Sequence, residues 1–76
     1  MASIIDLIPG DKVRVLDFGV TEPAYKRRLL SLGLTRGVAF RFIRKAPLGC
    51  PVQIEVRGTS LTLRKEEALH LVLERL

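Results

Sequence analysis

The sequence predicts a mainly β fold, a small five-stranded barrel with one short α-helix after its first strand. Three observations carry that prediction. Apolar and polar residues alternate in several separate stretches, glycines and prolines fall between those stretches, and one stretch around Tyr25 repeats its apolar residues at helical spacing instead. No internal repeat, low-complexity tract or linker interrupts the 76 residues, so a single domain over residues 1–76 is expected. A chain this short buries only about 60% of the surface it exposes when unfolded. Two-domain catalysis is therefore excluded, and nearly every apolar side chain is needed inside.

The elements follow in order. Pro9-Gly10 has the residue types of a tight turn, Pro fixing the first central φ and Gly tolerating a positive second one. A strand follows from Lys12 to Phe18, with Val13 and Val15 alternating with Arg14. Leu16 breaks the period, which leaves a bulge or burial on both faces open. Thr21-Glu22-Pro23 then opens a helix, because proline is tolerated where the first N–H has no partner. Glu22 is a weaker cap than Ser or Asp. Tyr25, Leu29 and Leu32 fall on one side with Leu30 beside them, and Gly33 supplies the left-handed residue that ends the helix.

Period two returns after Gly37, with Val38, Phe40 and Phe42 inward and Ala39, Arg41 and Ile43 outward. Pro47 and Pro51 frame the loop Pro47-Leu48-Gly49-Cys50-Pro51. Val52, Ile54 and Val56 then alternate with Gln53, Glu55 and Arg57, a tight turn falls at Arg57-Gly58, and Thr59, Leu61 and Leu63 oppose Ser60, Thr62 and Arg64. That is a hairpin signature. The last segment reads two ways: Leu69, Val72, Leu73 and Leu76 have helical spacing, yet Leu69, Leu71 and Leu73 also alternate with His70 and Val72. Four strands alone leave two exposed edges, and a fifth that closes the sheet removes them. The expectation is a helical turn at Lys65 to Ala68, then a closing strand from His70 to Glu74.

Composition excludes several functions. One cysteine and one histidine cannot make an internal disulfide or a closed tetrahedral metal site. His70 is far in sequence from Cys50 and from Asp6, Asp11 and Asp17, so neither a metal site nor a cofactor is expected. Cys50 reads as an idle surface thiol. No nucleophile, base and orienting group assemble, and no glycine loop could cradle a phosphate, so no enzyme is expected. The start lacks a basic region, and no apolar run approaches the roughly 18 residues of a membrane span, so no membrane insertion and a cytoplasmic location are expected.

The 13 Lys and Arg against 8 Asp and Glu give +5, which admits an anionic partner and equally suits an ordinary soluble domain. Lys26, Arg27, Arg28, Arg41, Arg44 and Lys45 make either a solvated face or a docking surface. Nucleic-acid binding is not expected, because Phe40 and Phe42 share the inward phase and buried rings cannot stack bases.

Four pieces resemble the FeoA family in the right order along nearly the whole chain. They are Leu7-Ile8-Pro9-Gly10, Tyr25-Lys26-Arg27-Arg28-Leu29-Leu30-Ser31-Leu32-Gly33-Leu34 with Gly37, Ala46-Pro47-Leu48-Gly49 with Pro51, and Leu63-Arg64-Lys65-Glu66-Glu67-Ala68. Departures fall at turns and caps: Glu22 stands where a small capping residue is usual, Arg36 where proline often precedes the glycine, and Cys50 inside the proline loop. The resemblance implies an SH3-like barrel and a cytosolic accessory of bacterial ferrous-iron uptake that contacts the cytoplasmic portion of the FeoB transporter. A stand-alone relative of the C-terminal domain of DtxR-type repressors is the alternative, as is a small basic nucleic-acid-binding barrel.

If the helix carries the contact, Tyr25 and Arg28 are its anchors, since Tyr and Arg concentrate binding energy at interfaces. Leu29, against which the Tyr25 ring packs, lies beside them. Leu48 at the tip of the proline loop is a second contact, unless it folds back; Tyr25 equally suits a cap over the core. Weak self-association is expected where an edge strand or the apolar C-terminus is left uncovered.

Overall fold

The computed structural model describes residues 2–76 and is built on one antiparallel sheet. After a 3-10 turn at Ile4–Asp6 come β1 (Lys12–Asp17), helix α1 (Pro23–Ser31), β2 (Ala39–Lys45), β3 (Val52–Val56), β4 (Thr59–Leu63), the single-turn helix α2 (Lys65–Ala68) and β5 (Val72–Arg75). The strand order is β4-β3-β2-β1-β5.

Local chemistry explains most boundaries. Asp11 donates its N–H to the Ile8 carbonyl at 3.0 Å across Pro9-Gly10, with Gly10 at φ 94°. β1 starts at once, and its irregularity lies where the broken period placed it: the register against β5 shifts between Val15 and Asp17, which turns Leu16 outward. Helix α1 ends in a Schellman motif. Leu34 N–H donates to the Leu29 carbonyl and Gly33 N–H to the Leu30 carbonyl, both at 3.0 Å, with Gly33 at φ 94°. Leu29 and Leu34 both bury completely at that corner. At its other end Glu22 makes no side-chain capping bond.

β3 and β4 form the expected hairpin, paired from Val52↔Leu63 to Val56↔Thr59. Arg57 and Gly58 both have positive φ, 52° and 80°, which is the signature of a type I′ turn. Between β2 and β3 the proline loop is held by Ala46 N–H on the Pro51 carbonyl and Gly49 N–H on the Ala46 carbonyl.

Two expectations are corrected. β5 does not close the sheet: it pairs with the free side of β1, and β4 remains an edge. The interior is sealed by side chains from outside the sheet, Ile4 and Leu7 from the N-terminal segment and Leu29 and Leu34 from the helical corner. The outer edge of β5 is covered in part by Ala2, which bonds Leu73 both ways. β5 also begins at Val72 and not at His70. Leu71 N–H is still turned onto the Ala68 carbonyl, and the His70 backbone is pressed against Gly19.

The core gathers Val13, Val15, Phe40, Phe42, Ile54, Leu63 and Leu73 from all five strands, with Leu61 packed against it. The inward phase read for β2 and β3 is therefore the buried one.

Candidate partner-docking site

Helix α1 and α2 meet at an ion pair. Arg28 Nε lies 2.6 Å from Glu67 Oε2, with the Arg28 side chain 55% exposed and the Glu67 side chain 4% exposed. The other carboxylate oxygen of Glu67 accepts the Arg64 N–H at 3.1 Å. Both oxygens of this buried carboxylate are thus satisfied, which is what makes its burial tolerable. A cleft of about 230 Å³ opens over the pair, lined by Tyr25, Arg28, Arg64 and Glu67.

Two of the four predicted contact residues, Tyr25 and Arg28, come together in this cleft. Leu29 does not. Its side chain is 0% exposed and anchors the corner at the end of α1, so it supports the helix from below and offers nothing to a partner. Leu48 stands at the tip of the proline loop, 95% exposed. The predicted alternative, that it folds back, does not hold.

Arg64 and Glu67 were not singled out from sequence as site residues. The signal was present in part: Arg64 and Glu67 are three apart around a helix start, the spacing at which an acidic side chain reaches back to the cap N–H. What no local pattern shows is that Arg28, on another element, completes the arrangement. Arg64 itself has no ion-pair partner among the described residues, so the cleft holds two guanidinium groups against one carboxylate and keeps a net positive character.

A larger groove of about 550 Å³ runs past Ala2, Asp6, Leu16, Glu74 and Arg75. It contains none of the predicted residues, and its charges are engaged: Arg14 pairs with Glu74 at 3.6 Å, and Arg75 Nη2 donates to the Asp6 carbonyl at 3.0 Å. Among the described residues no three His, Cys, Asp or Glu side chains converge on a point that could hold a metal ion. Among the described residues no helix is long and apolar enough to cross a membrane.

A five-stranded antiparallel sheet wrapped on one core, with a short helix after its first strand and a polar cleft on its outside, defines a small SH3-like β domain. The FeoA domain model matches residues 3–75. The chain belongs to the FeoA family.

Solved structures agree. The solution structure of the FeoA protein from Chlorobium tepidum is 37% identical, with a TM-score of 0.88 over 99% of this chain and 70% of that one. FeoA from Stenotrophomonas maltophilia, solved with zinc and described as a procaryotic SH3 domain protein suggested to be a ferrous iron transport activating factor, is 27% identical, with a TM-score of 0.79 over 97% of this chain and 91% of that one. A manganese-dependent transcriptional repressor shares the fold at a TM-score of 0.87 and 15% identity, this chain spanning 40% of its length.

Proposed function

We propose that this chain is a non-enzymatic, cytoplasmic accessory protein of bacterial ferrous-iron uptake, which modulates the FeoB transporter by direct contact with its cytoplasmic portion. The observation that carries the reading for this chain is the α1–α2 cleft. It sets the one tyrosine beside the unpaired cation of Arg64, over the Arg28–Glu67 ion pair, in a family whose members are described as iron-transport proteins. The repressor-like and nucleic-acid readings have less support: the likeness to the repressor is one of fold, and all three phenylalanines are buried, so of the phenylalanine and tyrosine rings Tyr25 is the one left on which a base could stack.

The test is capture of the soluble cytoplasmic portion of the transporter by the immobilised chain, in each nucleotide state. Arg28 is a poor target, because changing it strands the buried Glu67 carboxylate. Tyr25→Ala and Arg64→Glu leave that pair in place, and each is expected to weaken capture about tenfold, the loss typical of an interface anchor. Capture at wild-type strength by both variants rejects the cleft as the docking site. No capture by the wild type in any nucleotide state rejects the transporter as the partner.

A further inference from the structure

The open edge of β4 is unlike the other edge of the sheet. β5 is covered at Leu73 by Ala2 and ends in the charged pair Glu74 and Arg75. β4 reads Thr59-Ser60-Leu61-Thr62-Leu63, five residues with no charge, no proline, no glycine and no break in register against β3. Charge, proline and breaks in register are devices by which natural sheets discourage pairing with another chain, and the five residues of β4 carry none of the three.

The hairpin fixes which backbone groups face outward. Across a two-residue turn the flanking pair, Val56 and Thr59, is the hydrogen-bonded one, and the ladder alternates from there. Thr59, Leu61 and Leu63 therefore spend their N–H and C=O groups on β3. Ser60 and Thr62 turn theirs to the open side, and no backbone partner meets them among the described residues.

We propose that this edge pairs with the same edge of a second copy of the chain, antiparallel and centred on Leu61. In that register Ser60 of one copy faces Thr62 of the other, and the two residues exchange N–H···O bonds in both directions. Their hydroxyl side chains lie across from one another on the outer face, a favourable cross-strand pair. Leu61, half-buried on the core face, meets Leu61 of the partner and covers its remaining apolar surface. The register sets hydroxyl residue against hydroxyl residue and leucine against leucine.

Strength is limited on two counts. A five-residue strand pair falls well short of the roughly 1,200 Å² at which specific interfaces become stable. Each copy also carries +5, and the strand ends bring Arg57 of one copy towards Arg64 and Lys65 of the other. The dimer is therefore weak and forms at high concentration, and added salt strengthens it by screening these like charges.

The experiment is sedimentation velocity on the full chain, with a matching concentration series of amide NMR spectra, at low and high salt. Concentration-dependent shifts centred on Ser60, Leu61 and Thr62, growing with salt, are expected. Ser60→Lys with Thr62→Lys places like charges face to face and should weaken association more than tenfold. Ser60→Lys with Thr62→Glu places opposite charges face to face in this register only, and should restore it. Both positions are exposed, so circular dichroism is expected to show both variants folded. The proposal is overturned by a chain that stays monomeric at millimolar concentration in high salt, by shifts centred elsewhere, by a double-lysine variant that associates like the wild type, or by a Lys/Glu variant that fails to recover. A monomer that instead takes up an added extended peptide at β4 would assign the edge to a different chain and overturn the self-pairing as well.

Discussion

Gly19 shows how a single residue can hold two distant turns together. It sits at φ 61°, and a Cβ built there would collide with the backbone carbonyl of His70, which cannot swing aside as a side chain can. Gly33 also has a positive φ, but a Cβ there meets nothing within 4 Å. Gly33→Ala should therefore cost only the left-handed strain, about 1–2 kcal/mol. Gly19→Ala adds displacement of the β5 approach and should cost clearly more, above about 3 kcal/mol. Urea unfolding of the two variants side by side checks the ranking; equal losses would mean that the His70 contact carries no weight. Gly33 was legible in the sequence because its partner bonds lie within one helical turn. Gly19 was not, because its reason lies at His70, next to it in the fold but far along the chain. The burial of Glu67 was hidden for the same cause: a carboxylate in a charged run looks solvated until Arg28 arrives from α1.

At the scale of elements, periodicity identified β1 to β4 and helix α1, since each has one face turned to the core, whereas α2 was read from helix propensity and β5 from the liability of an exposed edge. The strengths and weaknesses of their ends follow from single turn residues. The type I′ turn between β3 and β4 carries Arg57 at φ 52°, a conformation that asparagine adopts more readily. Arg57→Asn should raise stability by about 0.5–1 kcal/mol, seen as a higher urea midpoint with an unchanged slope. A drop would show that the arginine side chain makes a contact that outweighs its backbone strain. β5 was the least legible element, because its residues satisfy both periods and only tertiary structure decides between them. Its start was misplaced for a related reason: Leu71 alternates correctly with its neighbours, but its N–H is still engaged by Ala68.

For the whole molecule, the closing ladder expected from the edge argument is absent, and the seal comes from segments that sequence reading treats as peripheral. Ile4 and Leu7 precede the first strand, yet both are buried. The alternation that revealed the strands has no counterpart in a 3-10 turn, so the contribution of these residues to the core could be seen only in three dimensions. Ile4→Ala should cost about 2–4 kcal/mol, as for a cavity in the middle of a sheet, and a domain with a few kcal/mol to spare would then be largely unfolded at 37 °C. Circular dichroism melting measures this, and a loss below about 1 kcal/mol would show that the segment merely rests on the barrel.

The reciprocal bonds between Ala2 and Leu73 lead to one more result. Ala2 and Leu73 lie side by side although nearly the whole described fold separates them along the chain, so its connectivity is nearly a ring. A short flexible splice between the segments that carry Ala2 and Leu73, with a new opening cut in the exposed loop around Leu48, would preserve every strand pairing while reordering the text that encodes it.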